Sequence, residues 1–265
     1  MKRFWIIILL TGMIAPLSAQ KECNRPIVRS TMYGGGFSNL YDTYLSPVEY
    51  TGVQVRVLRE SSRMTRWFDG NVSRQTIFQG YVGMTENPAE TANELSGMVN
   101  WNYALHYNFH LFDGQLRLLA GPMAQLHGGF IYNTRNGNNP AQAKLYANLA
   151  ASGMAIYHIP WKRVPITLRY QLDAPLLGLM FSPTYGQSYY EIFSLGHTDG
   201  IVHFTSLHNQ PSLRHWLTAD MNFRSFTLRL GYMADMQQSR VGGLRTHDYS
   251  HTFMVGLVKK LLPVK

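Results

Sequence analysis

Hydrophobic and polar positions alternate one by one through residues 99–111. A period of two places successive side chains on opposite faces, which predicts a β-strand with one apolar and one polar face. At about 3.3 Å per residue this strand would be roughly 43 Å long, enough to cross a bilayer at a tilt of about 40°. Its apolar face carries Trp101, Tyr103, Leu105, Tyr107 and Phe109, and its polar face includes Asn102, His106 and His110.

Alternation alone does not say which face meets the outside, because a soluble barrel with an apolar core gives the same pattern. The polar face of this strand consists of amides, imidazoles and an alanine, whereas a strand facing bulk water usually carries Lys and Glu. We therefore interpret the polar face as lining a confined, hydrated interior. The aromatic face is then expected to meet lipid.

Similar alternation recurs along the chain and predicts an all-β fold, a single antiparallel transmembrane β-barrel of about 12 strands. The clearest further segments are residues 53–57, 72–84, 116–120, 144–158, 166–173, 214–223, 226–235 and 249–257, and weaker strands are predicted at 31–44, 189–196 and 201–208. Short turns are predicted at 113–114, 160–165 and 224–225, and longer loops at 134–140, 182–188 and 237–247. Short connections on one side and longer ones on the other are typical of bacterial barrels, although the predicted 61–71 connection is long for the short side.

Residues 1–20 have a basic start, a short apolar run and small residues before a cleavage point, which predicts a secretory signal peptide. Residues 21–265 are then the barrel domain. No later stretch supplies 18 consecutive apolar residues, so we expect no helical membrane span. Export without a helical anchor leaves the periplasm, the exterior or the outer membrane, and the predicted barrel favours the outer membrane of a Gram-negative cell.

Charged residues make up only 15% of the chain, against about 25% in typical soluble domains, and the formal net charge is +9. Because the Lys and Arg residues of the predicted strands are dispersed, nucleic acid is not an expected partner. The expected partners are outer-membrane lipid and lipopolysaccharide, the barrel-assembly machinery and, as a further candidate, a small anionic solute. The single cysteine, Cys23, excludes an intrachain disulfide.

Five arginines share a strand face with amide, hydroxyl or acidic residues, which predicts that they line the lumen. One interpretation is a basic conduit for an anionic solute, as in a narrow porin-like channel. The other is a set of side chains that interlock and fill a small barrel. The predicted lumen residues are Arg56, Arg117, Arg169, Arg214, Arg229, Asp173, Asp220, Asp235, His106 and His110.

Ten histidines raise the question of a metal site. His106 and His110 share a strand face, but a separation of four residues is about 13 Å along a strand. That distance is too long for both to bind one ion through bonds of about 2 Å. We therefore predict no metal, and since no glycine-rich phosphate loop occurs, no cofactor.

The residues Ser206, His208 and Asn209 are of the types that catalyse acyl hydrolysis. The family to compare is outer-membrane phospholipase A, a twelve-stranded barrel whose catalytic His and Ser lie two residues apart on a strand. No His-x-Ser occurs in this chain, and the nearest match, His203-Phe204-Thr205, lacks the serine. A lipid-acting hydrolase is therefore the alternative function, and a soluble periplasmic β-protein that binds an apolar ligand is a second alternative.

Three segments carry a wider resemblance: residues 41–52, residues 206–211 (SLHNQP), and the terminal residues 249–251 with 256–260. They resemble an exported family of Bacteroidetes-type bacteria described as domain of unknown function 3316. The resemblance implies export and a β-rich fold, and it implies no catalytic residues. From all of these patterns, the leading hypothesis is an outer-membrane barrel with a structural role or a role in narrow solute passage.

Overall fold

The alternating segments form strands of 5 to 19 residues in the computed structural model, which describes residues 25–261. The predicted signal peptide and Cys23 lie outside this range. The elements are β1 Ile27–Asp42, β2 Tyr50–Met64, β3 Val72–Glu86, β4 Asn93–Leu111, β5 Leu116–Asn133, β6 Ala141–Ile159, β7 Ile166–Phe181, α1 Tyr189–Phe193, β8 Val202–Ser206, β9 Leu213–Asn222, β10 Thr227–Val241 and β11 Leu244–Leu261. No helix among the described residues is long and apolar enough to cross a membrane.

Ten of the strands close into an antiparallel barrel. Neighbours along the wall are β1 to β7 in chain order, then β9, β10 and β11, and β11 pairs with β1 to complete the circle. The predicted all-β barrel is therefore confirmed, with ten strands in the closed wall and one further strand instead of about twelve. We call the end where β1 begins and β11 ends the termini end, and the opposite end the far end.

The additional strand, β8, pairs with the same edge of β7 as β9 does, but nearer the far end. Residues 202–206 pair with the far-end part of β7, and residues 214–221 pair with its termini-end part. Residues 207–212 form a break between the two pieces. Within the described residues β8 pairs only with β7, so the far-end part of β10 has no ladder partner on this side.

Three predicted boundaries differ from the structure. β2 continues to Met64, so the connection predicted at 61–71 shortens to residues 65–71. The loop predicted at 237–247 is a tight hairpin turn at Gly242 and Gly243, whose φ angles of 59° and 77° suit glycine. Residues 189–193 form the short helix α1 instead of a strand, inside the long far-end connection 182–201.

Side chains alternate across the barrel wall as the pattern predicts. Trp101 is 39% exposed and Phe109 is 51% exposed on the outer face of β4, whereas Asn102 and His106 between them are buried inside the barrel. The interior is not uniformly polar, because an apolar cluster crosses it. The buried apolar cluster consists of Met32, Leu58, Ile77, Trp216, Met233 and Met254.

Candidate functional site

The barrel interior holds ion pairs that cross its full width. β2 and β7 lie five positions apart in the ten-stranded wall, which places them on opposite sides. Arg169 on β7 nevertheless donates from both terminal nitrogens to Glu60 on β2, at 2.5 and 3.0 Å. The two-pronged contact is the geometry in which arginine binds carboxylate best.

Arg229 on β10 completes this group of charges. It donates to the second oxygen of Glu60 at 2.5 Å and to both oxygens of Asp220 on β9, at 2.5 and 2.7 Å. Gln75 and Ser30 also donate to Glu60. We call Glu60, Arg169, Arg229 and Asp220 the lower tier. Two cations face two carboxylates there, so the tier is electrically balanced.

A second group of charges lies nearer the far end, and we call it the middle tier. Asp235 on β10 accepts from Arg56 on β2 at 3.4 Å and lies 3.1 Å from the guanidinium of Arg214 on β9. Arg56 also stacks on the ring of Tyr81, with its guanidinium carbon 4.6 Å from the ring centre. Leu58 separates the two tiers along β2, because it lies between Arg56 and Glu60 on the inward face.

A third group lies under the far-end opening. Lys144 on β6 donates to Asp42 on β1 at 2.5 Å, and these strands are again on opposite sides of the wall. Lys144 also donates to Thr246 at 2.7 Å, and Tyr81 donates to Asp248. The lumen is therefore crossed by side chains at its far end as well as near its termini end.

Helix α1 packs over this opening. The hydroxyl of Tyr189 donates to Gln142 at 2.8 Å and accepts from the backbone N–H of Ala143 at 2.7 Å, and burial raises the pKa of Tyr189 to about 12. Ser188 caps the helix, and its backbone N–H and hydroxyl both donate to Glu191. These two hydrogen bonds hold the pKa of Glu191 below its ordinary value.

The predicted lumen residues do not all enter the tiers. Asp173 is buried and accepts from Ser152 at 2.6 Å, and the Ser152 hydroxyl also contacts Nε2 of His106 at 2.9 Å. Arg117 is half-buried near the termini end. His110 is exposed where β4 ends, so it does not lie in the enclosed interior.

The predicted outer-face residues are Trp101, Tyr103, Leu105, Tyr107 and Phe109, and all of them point away from the interior. Tyr103 and Leu105 are half-buried among neighbouring outer side chains, and the other three are exposed. Trp101 stacks on Tyr103 with ring centres 6.1 Å apart.

The structure brings the three hydrolase candidates together at the break between β8 and β9. The Ser206 hydroxyl lies 2.5 Å from Nδ1 of His208. Asn209 does not contact His208, because its side chain accepts from the backbone N–H of Ser206 and donates to the Phe204 carbonyl. The pair is at the surface, and no group of three metal-binding side chains occurs within residues 25–261.

Four residues that form contacts across the interior could not be singled out from the sequence: Glu60, Asp42, Lys144 and Trp216. A signal for Glu60 was present, since it lies four positions after Arg56 on the same strand face. Trp216 lies between Arg214 and Thr218 on the predicted polar face of β9. It packs inside the barrel against Arg169, with 4.5 Å between the guanidinium carbon and its ring centre.

The family described as protein of unknown function (DUF3316) matches residues 4–265, nearly the whole chain. The chain belongs to the DUF3316 family. This confirms the family resemblance found in the sequence. No curated protein matches the chain in sequence.

Two solved structures show the same fold as this DUF3316 chain. The transport unit of the autotransporter AIDA-I from Escherichia coli has a TM-score of 0.51 at 7% identity, covering 95% of this chain and 94% of its own. The outer membrane protease OmpT from Escherichia coli has a TM-score of 0.51 at 6% identity, covering 90% and 98%. At such low identity the likeness extends to the barrel fold alone.

Proposed function

We propose that this DUF3316 protein is an outer-membrane barrel with a structural role, whose lumen is closed by its own side chains. The observation that carries the proposal is the contact between Glu60 and Arg169, which joins opposite sides of the wall. A barrel of this size is of the class that side chains can fill. An occluded lumen favours a membrane-embedded scaffold over a solute channel.

The outer face supports a place in the membrane. Large apolar side chains stand exposed around the wall, and a soluble monomer rarely exposes so much contiguous apolar surface. They include Tyr33, Phe37, Val53, Val55, Phe78, Val82, Val99, Leu126, Leu149, Leu179, Leu217 and Phe253. This arrangement argues against the soluble periplasmic alternative, in which the apolar face would be inside.

The charges of the interior disfavour anion passage. An anion-selective path needs cations that are free to attract a solute, but Arg169, Arg229 and Arg56 are each paired with a buried carboxylate. Moving a solute past them would require separating buried ion pairs, which costs several kcal/mol (roughly 3–5).

Two experiments test the proposal. Fractionation of cells that express the full chain, with a heat-modifiability gel, should place the folded protein in the outer-membrane fraction, and recovery in the soluble periplasm would overturn the membrane placement. Planar-bilayer recordings should then show no stable conductance from the wild type. A steady anion-selective current that Arg169→Glu reduces and the outer-face control Arg240→Glu does not would instead support passage.

A lipid-acting hydrolase is the second candidate, favoured only by the 2.5 Å contact between Ser206 and His208. A serine beside a histidine base is the arrangement that activates the hydroxyl for acyl transfer. Purified protein in mixed micelles should be assayed for fatty-acid release, with Ser206→Ala as the test and the exposed Ser225→Ala as the control. Hydrolysis that disappears only in Ser206→Ala would favour the enzyme.

A further inference from the structure

Basic side chains collect on one region of the outer face, close to the termini end. Four neighbouring strands, β11, β1, β2 and β3, contribute them in order around the wall. The members of this basic patch are Arg29, Arg59, Arg63, Arg74 and Lys259. Glu86, an exposed acidic residue of these strands, lies at the far end of β3. The outward strand positions of the patch therefore carry a single sign, and an acidic residue, Asp69, lies in the turn that joins β2 and β3 at this end.

Strand register brings three of these cations together. Arg29 is the cross-strand partner of Lys259, and Arg59 is the partner of Thr31, two residues along β1 from Arg29. A groove with about 730 Å³ of free volume lies over this part of the wall, and Arg29, Arg59 and Lys259 all line it. All three side chains are exposed.

The rest of the groove is apolar. Tyr33, Val255 and Leu257 line it on the side toward the middle of the barrel, and they are 60%, 50% and 49% exposed. Leu261 also lines the groove, two residues beyond Lys259 toward the termini end, and Leu257 and Arg59 are both cross-strand partners of Thr31. Cations that border a larger set of apolar side chains are the pattern of a surface that binds an amphipathic molecule with an anionic head.

The three cations of the groove differ from those of the interior because they form no ion pair within the described residues. Every ion pair found within residues 25–261 lies inside the barrel, and none of them involves Arg29, Arg59 or Lys259. Cations at the boundary of an apolar surface attract anionic lipid, by roughly a fivefold gain in binding per Lys or Arg.

We propose that this groove is a binding site for an anionic glycerophospholipid of the membrane leaflet at the termini end. The phosphate lies among Arg29, Arg59 and Lys259, and an acyl chain lies along Tyr33, Val255 and Leu257. The site rests on the proposed function, because it requires the barrel to lie in a bilayer. The site adds to that function a specific class of lipid and a specific place on the barrel wall.

Native mass spectrometry of the full-length mature protein tests the site. The folded protein, in detergent, is mixed with equal amounts of phosphatidylglycerol and phosphatidylcholine, and lipid adducts are counted. The wild type should retain phosphatidylglycerol preferentially. The triple variant Arg29→Gln, Arg59→Gln, Lys259→Gln should reduce that preference by roughly a hundredfold, since each of the three cations contributes about fivefold.

A charge-matched control removes three cations from the far end, with Arg135→Gln, Arg240→Gln and Arg245→Gln, all of them exposed. This control should keep the wild-type preference. Equal retention of the two lipids by the wild type, or equal loss in both triple variants, would overturn the proposal, as would selective retention of lipid A in a parallel mixture. A gel that shows no heat-modifiable form, or fractionation to the periplasm, would instead be a failure of the barrel placement itself.

Discussion

The guanidinium carbon of Arg169 lies over the ring of Trp216, 4.5 Å from its centre, while both terminal nitrogens donate to the carboxylate of Glu60. Three strands that are distant in sequence, β2, β7 and β9, meet through this one side chain. Arginine alone among the cationic residues has the planar fork that makes both contacts at once. The lower tier therefore depends on the shape of Arg169 as well as on its charge.

Arg169→Lys should destabilise the barrel although the charge is kept. A lysine ammonium is a point charge, so it loses one of the two contacts with Glu60 and the stacking on Trp216, at a cost of roughly 1–2 kcal/mol. Urea unfolding in detergent micelles measures the free energy of unfolding. The exposed Arg240→Lys is the control, and equal midpoints for the two variants would contradict the importance of the stacked geometry.

Glu60→Gln should cost more, about 3–5 kcal/mol, because it leaves Arg169 and Arg229 buried with one fewer carboxylate between them. The temperature at which the gel band of the folded form shifts to the unfolded position should fall. Glu86→Gln, on the exposed outer side of β3, should leave that temperature unchanged. A Glu60→Gln protein as heat-resistant as the wild type would show that the lower tier does not stabilise the fold.

A substitution in the turn between β10 and β11 should lower the free energy of unfolding through backbone strain alone. Gly243 has a φ of 77°, and the nearest atom to an added Cβ would be 3.7 Å away, so Gly243→Ala causes strain without a clash. A left-handed conformation costs a non-glycine residue about 1–2 kcal/mol. Gly137→Ala is the control, since that Cβ would meet open space and its φ is not in the left-handed region. Indistinguishable unfolding curves would contradict the assigned turn.

The cap of α1 should weaken in acid. The backbone N–H of Ser188, followed by its hydroxyl, holds the pKa of Glu191 below its ordinary value of 4.5. The stabilisation is therefore present above that ordinary value and is lost as the pH falls through the lowered folded-state pKa. In an NMR titration the Ser188 amide shift should have a midpoint below 4.5, and Ser188→Ala should move the Glu191 midpoint upward. A wild-type midpoint at or above 4.5 would contradict the cap.

The face of each strand could be predicted from the sequence within the apolar belt, which is the middle part of the wall where the outward side chains are apolar. Trp101 and Asn102 lie on the sides that alternation assigns to them, because outward-facing and interior positions differ most in polarity there. Strand ends could not be predicted. Beyond the belt, outer positions such as Arg59 and Arg240 are polar too, so the alternation fades while backbone pairing continues.

Contacts across the lumen could not be predicted for a different reason. Asp42 and Lys144 are 102 residues apart and share no local pattern. They meet only because the wall closes after ten strands, and that number depends on the strands in the poorly patterned part of the chain. An interior position for Trp216 could not be predicted because the inward face of β9 was expected to be polar throughout. The structure instead contains an apolar layer between the charged tiers, and Trp216 belongs to it.

The break between β8 and β9 leaves a seam in the far-end rim. Beyond Met236, β10 meets its neighbour on this side through isolated hydrogen bonds, such as that from the Arg240 N–H to the Asn209 carbonyl, instead of a continuous ladder. Separation there disrupts few bonds and leaves the β9–β10 pairing below intact. We therefore expect thermal unfolding of the barrel to begin by separation of the strands at this rim, and amide protons of residues 202–212 should exchange with solvent before those of β4 or β5.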